Sequence, residues 1–174
     1  MGMRSVLSIS VALVLALSAC GQQGDEPADG TSEDAQEALG SYDIDPQSGE
    51  VRATHTDAAG VTTTMRAGER VEARLPEPFS LYPGATVTNT TRVEQGDGAF
   101  VTVEFTTSDE REKVVEFYRK QAHDAGIEPE VEVSAGATTT LGGENRQRQS
   151  SFALQVTRVS ALTEGQVSIA SGFD

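Results

Sequence analysis

From residue 50 onward the apolar side chains recur at every second position, and only between residues 109 and 125 does the spacing change to three and four. A period of two puts alternate side chains on opposite faces of a strand, and a period near 3.6 makes a helical stripe. The chain's only cysteine is Cys20, so no disulfide can join these elements and a hydrophobic core must hold them. Val51, Ala53 and His55 alternate with Glu50, Arg52 and Thr54, then Asp57-Ala58-Ala59-Gly60 signals a turn, and Val61, Thr63 and Met65 resume the alternation. This is the pattern of a β-hairpin. Val71, Ala73 and Leu75 continue it beyond Ala67-Gly68.

Further strands are expected at 86–94, with Val87 and Val93, and at 99–106, with Val101, Val103 and Phe105 on one face and Phe100, Thr102 and Glu104 on the other. Ile127, Pro129, Val131 and Val133 alternate with Glu128, Glu130 and Glu132, which predicts one buried and one wet face. Thr138–Leu141, ended by Gly142-Gly143, then Phe152, Leu154 and Val156, and finally Val167 and Ile169 after a turn near Glu164-Gly165 complete the series. The helix has its own signals: hydroxyls and carboxylates in Thr106–Glu110, a stripe of Val114, Val115, Tyr118 and Ala122 with Phe117 beside it, an outer Glu116–Lys120 pair, and Gly126 as the left-handed stop. The expected fold is α+β: a two-layer sandwich of a mostly antiparallel sheet, five to seven strands, with one helix over about 109–125 on one face.

Residues 75–85, Leu-Pro-Glu-Pro-Phe-Ser-Leu-Tyr-Pro-Gly-Ala, contain three prolines, which forbid helix or central strand. Phe79, Leu81 and Tyr82 are too apolar for a free loop, so this segment is expected to lie on the domain and cap its core. It also offers the candidate ligand or partner contacts, Phe79, Leu81 and Tyr82, beside a groove.

The N-terminus has a different grammar. Met1–Ser5 carries Arg4, Val6–Leu17 is apolar apart from Ser8 and Ser10, and Leu17-Ser18-Ala19-Cys20 follows. The apolar run is too short for a membrane span, which takes roughly 20 residues. Leu-Ser-Ala-Cys resembles the lipobox of bacterial lipoproteins. The resemblance implies a signal peptide over 1–19, acylation of Cys20 as the lipidation site, and attachment to the lipid bilayer in the cell envelope. Gly21 after the cysteine, where Asp would imply inner-membrane retention, implies the periplasmic side of the outer membrane in a Gram-negative cell. Otherwise the outer face of the cytoplasmic membrane is implied. Residues 21–49 hold Asp25, Glu26, Asp29, Glu33, Asp34, Glu37, Asp43 and Asp45 without a Lys or Arg, and residues 20–49 are expected to form a disordered acidic tether. Such a coil reaches about 30 Å root-mean-square.

Leu75-Pro76, Leu81-Tyr82-Pro83-Gly84-Ala85, Val103–Ser108 and Glu112-Lys113-Val114-Val115-Glu116-Phe117-Tyr118-Arg119 occur in that order. This arrangement resembles a group of bacterial exported proteins and lipoproteins in which a Tyr-Pro-Gly-Ala segment precedes a strand and then a helix of this type. The resemblance covers roughly residues 60–170, implies a shared fold, and brings no catalytic residues with it.

The search for chemistry returns little. The net charge of −14, with an excess of carboxylates in residues 50–174 as well, opposes nucleic-acid binding. His55 and His123 have no His or Cys at ligand spacing, so no metal site and no cofactor are expected. There is no Gly-x-Ser-x-Gly elbow. Glu128, Glu130 and Glu132 fit a solvated strand face better than acid–base work. The expected function is a membrane-anchored, non-catalytic binding domain for an envelope protein or a cell-wall component. The alternatives are a small-ligand carrier or sensor with a groove near Phe79–Tyr82, and a hydrolase, for which no nucleophile with an oriented base is evident.

Overall fold

The computed structural model describes residues 40–173. The expectations placed on 1–19, on Cys20 and Gly21, and on the tether up to residue 39 lie outside the described residues. Within them the alternating segments become β1 (Gly40–Ile44), β2 (Val51–Thr56), β3 (Thr62–Gly68), β4 (Thr86–Gln95), β5 (Gly98–Thr107), β6 (Val131–Ala135), β7 (Thr138–Asn145), β8 (Ser150–Val159) and β9 (Leu162–Ser171). The segment of helical spacing becomes α1 (Arg111–Asp124). The strands form one sheet in the order β1-β2-β3-β4-β5-β9-β8-β7-β6, antiparallel at every neighbour. The helix packs over β7 and β8. The fold is therefore α+β, with nine strands among the described residues instead of five to seven.

Each difference has a physical cause. β1 arises inside the expected tether, pairing Tyr42 with Ala53 and Ile44 with Val51. All five of its residues are exposed, and a strand wet on both faces leaves no apolar period to read. Residues 71–75 form no strand; Val71 and Leu75 are buried, but as part of the irregular segment between β3 and β4. β6 is the opposite sheet edge, so Val131 and Val133 stay 50% and 56% exposed, not buried. His55 is exposed too. β7 continues through Gly142 and Gly143, which stay paired with Ala153 and Phe152. The reversal before β9 falls at Ser160-Ala161. Gly165, read as part of that turn, instead lies opposite Phe105, where a Cβ would come 2.3 Å from the ring's Cζ. That glycine makes room for a ring.

α1 is two residues shorter at its start than expected. Its N-cap, Glu110, makes no side-chain cap, and Thr107 Oγ1 accepts the Asp109 N–H at 3.2 Å one step too early. The helix start is held instead from β8 and β9. Arg158 Nη1 and Thr163 Oγ1 donate to the Asp109 carbonyl at 2.9 and 2.7 Å. At the other end Gly126 has φ of 72° and its N–H donates to the His123 carbonyl at 2.8 Å, the left-handed stop that glycine allows at least cost.

The core lies between α1 and one sheet face. Val114, Val115, Tyr118 and Ala122 meet Val101, Val103 and Phe105 of β5, Leu154 and Val156 of β8, and Val167 and Ile169 of β9. Side chains of this size contribute about 1.5–3 kcal/mol each when fully buried. Phe79 stacks on Phe152 at 5.5 Å between ring centroids, and Phe105 and Phe152 flank Tyr118 at 6.0 and 6.5 Å. The other sheet face is open to solvent. There Thr102, Glu104 and Thr106 of β5 alternate with the core residues.

Candidate functional site

The proline-rich segment 75–85 does cap the core: Leu75, Phe79 and Tyr82 are 7%, 6% and 8% exposed. Three hydrogen-bond links fasten it to the helix and to Asp109 just before the N-cap. The Ser80 N–H donates to Gln121 Oε1 at 2.9 Å, while Gln121 Nε2 donates to Ser80 Oγ at 2.8 Å. The Tyr82 N–H donates to the buried Tyr118 hydroxyl at 3.2 Å. The Tyr82 hydroxyl donates to Asp109 Oδ2 at 2.8 Å. Burial first, and then this bond to a carboxylate, push the Tyr82 phenol up to about 12. The same bond, seconded by Lys113, lowers Asp109 below the usual carboxylate range. Burial alone raises the Tyr118 phenol, against the smaller opposing effect of the Tyr82 amide. Both phenols therefore keep their protons at neutral pH, as donors and acceptors and not as bases.

Where the segment leaves the helix, a groove of about 620 Å³ opens between Tyr82-Pro83 and the outer side of α1. Its apolar floor is Tyr82, Pro83 and Phe117, and the Tyr82 and Phe117 rings meet edge to face at 5.2 Å. Its rim carries Lys113 and Lys120 against Asp109, Glu112 and Glu116. The rim charges are mostly engaged. Lys113 pairs with Asp109, Lys120 with Asp124, and Arg111 with Glu112. Glu116 bonds Arg119, not the expected Lys120. What the groove offers a ligand is thus an apolar floor more than free charge.

Of the three candidate contacts, Tyr82 lines the groove. Phe79 does not: its ring is in the core against Phe152. Leu81 is half-buried, packs on the core, and is outside the groove's lining. The residue that sequence reasoning passed over as a contact is Phe117. Its signal was present, an aromatic one step off the buried stripe of α1, but only the docked Pro83 makes it part of a groove. His55 and His123 remain on separate elements, both exposed, with His123 Nε2 3.7 Å from Glu128 Oε1. Among the described residues, no group of three or more His, Cys, Asp or Glu is arranged to hold a metal ion, and no helix is long and apolar enough to cross a membrane.

Residues 87–165, from β4 into β9, match a family model described as START domain-like. No curated protein and no solved structure matches the chain.

Proposed function

We propose that the domain is a non-catalytic carrier or sensor for a small amphiphilic ligand, held at the cell envelope through acylated Cys20. The observation that carries the reading is the groove at Tyr82, Pro83 and Phe117, an apolar floor rimmed by charges that already have partners. Such a site favours a ligand with an apolar body and a solvent-facing polar end. The START domain-like match supports it, because domains of that kind are generally ligand-binding rather than catalytic. The space between helix and sheet is filled by Phe79, Phe105, Tyr118 and Phe152 in ring contact, so the ligand lies along the helix and not beneath it. Gly21 favours the outer membrane in a Gram-negative cell.

The fluorescent amphiphile N-phenylnaphthylamine tests the groove. Saturable binding weakened about tenfold by Phe117→Ala, with the fold intact, is expected from the loss of one ring's contact area. Saturable binding that Phe117→Ala and Pro83→Ala leave unchanged would move the site elsewhere. The anchor is tested by metabolic palmitate labelling. Cys20→Ala should abolish the label and release the protein from the membrane fraction, whereas a label that survives it rejects the acylation.

A further inference from the structure

Strand alternation keeps its period across the sheet but reverses its phase. In β5 the apolar residues Val101, Val103 and Phe105 lie on the face that α1 covers. In β1 to β4 the apolar residues lie on the other face. Directly paired residues share a face, and pairing joins Tyr42, Ala53, Met65 and Val93 of these four strands to Phe100, which alternates with the core residues of β5. Ile44, Val51 and Ala67 form a second row beside the first. Tyr42 and Ile44 are 66% and 52% exposed, while Met65, Val93 and Phe100 are half-buried. The charges sit on the reverse side of the same strands, where Asp43, Arg52, Arg66 and Arg92 are paired in one row. The apolar rows contain no Asp, Glu, Lys or Arg, in a chain whose net charge is −14. A contiguous apolar face of this kind marks an interaction surface.

Size, chemistry and chain connection select what covers it. Five strands about 4.8 Å apart and two rows about 7 Å apart give a footprint of about 300 Å². That is well under the roughly 800 Å² per partner of a stable dimer. Protein interfaces also carry about one hydrogen bond per 100–200 Å², whereas the Tyr42 hydroxyl is the only side-chain N or O atom in these rows. A lipid surface asks for no such bonds, and a tyrosine at the edge of an apolar face suits its interface. Finally, residues 21–39 join Cys20 to Gly40, the first residue of β1, so the face begins two residues beyond that join. A chain of that length spans at most about 70 Å.

We propose that this face docks on the lipid bilayer to which Cys20 holds the chain. The inference rests on the attachment at Cys20 proposed for the domain. Attachment there makes the contact intramolecular, so a small area suffices. Anionic lipids repel the chain's net charge, and the docking rows bring no carboxylate to them.

The chain has no tryptophan, so a single introduced indole reports without background. Met65→Trp and Thr64→Trp place it on opposite faces of β3. The full-length variants are placed in phosphatidylcholine vesicles brominated high on the acyl chains. Cys20 either carries its own lipid or, if unmodified, is coupled through the chain's only thiol to a maleimide lipid. The chain is thus held at residue 20 in both cases, and failure of docking is read separately from failure of acylation. Met65→Trp should be quenched and blue-shifted, and Thr64→Trp should not. Adding Val93→Glu should abolish the quenching; Tyr42→Glu, at the exposed edge, makes the same test if Val93→Glu lowers the melting temperature. Quenching of neither indole, or of both equally, overturns the proposal. So does quenching that survives both glutamates. A blue shift of Met65→Trp that grows with protein concentration without quenching overturns it too, by putting a second copy of the chain on this face.

Discussion

The centre of the sheet and its β2–β3 wing are built from the same kind of alternating sequence and are held in different ways. In the middle of β5, β8 and β9 every second residue is buried under α1 and the proline-rich segment, including Val101, Val103, Leu154, Val156 and Val167 at 0–1% exposure. In β1 to β3 no residue is buried, although the same antiparallel ladder continues. That wing is secured by backbone pairing and by one carboxylate. Glu50, only 8% exposed at its side chain, accepts from Arg52 Nε at 2.9 Å and from Arg66 Nε at 2.8 Å. The contrast separates two jobs that alternation can do. It can define a strand's pairing, and it can define a core, but the second needs a layer on top.

The comparison breaks most visibly at the rings. Phe152→Ala should cost about 3–5 kcal/mol, because it removes the partner of Phe79 and Tyr118 from a closed core. Met65→Ala, on half-buried β3, should cost under about 1 kcal/mol. Denaturant titration of both variants measures the gap, and equal losses would mean that the wing belongs to the core. A smaller effect is expected from Tyr118→Phe, at about 1–3 kcal/mol, since it strips the Tyr82 N–H of its acceptor in a buried position. Proteolysis within residues 75–85 should accelerate with it, because one of that segment's links to the helix is gone.

The smallest effect belongs to the wing and depends on pH. Bonding to Arg66 and then Arg52 lowers the Glu50 carboxyl from 4.5 to about 2. A group with a depressed folded-state pKa stabilises the fold above its unfolded value and loses that contribution as pH falls through the folded one. Amide exchange in β2 and β3 should therefore accelerate, relative to β8, between about pH 4.5 and pH 2. Glu50→Gln should flatten that profile. An unchanged pH profile in Glu50→Gln would remove Glu50 from the wing's support.

Much of this is legible in the sequence. The buried stripe of α1, the β2–β3 hairpin, the buried triplet of β5 and the capping role of residues 75–85 all follow from spacing, proline and glycine chemistry, which act within a few residues. Four features misled it for one shared reason. β1, the exposed Val131 and Val133, the ring-facing Gly165 and the groove-lining Phe117 each depend on what lies across the sheet or over it. The Cys20 signal lies outside the described residues and rests on sequence pattern alone.

Local pattern therefore determined most of the strands, where the helix stops, and that the domain has no cysteine to staple it. Tertiary structure decided which strands are covered, which glycine yields to a ring, and where an apolar floor or an open apolar row is left facing water. The physical reason is that pairing and helical periodicity are set by neighbours in the chain, whereas burial is set by neighbours in space.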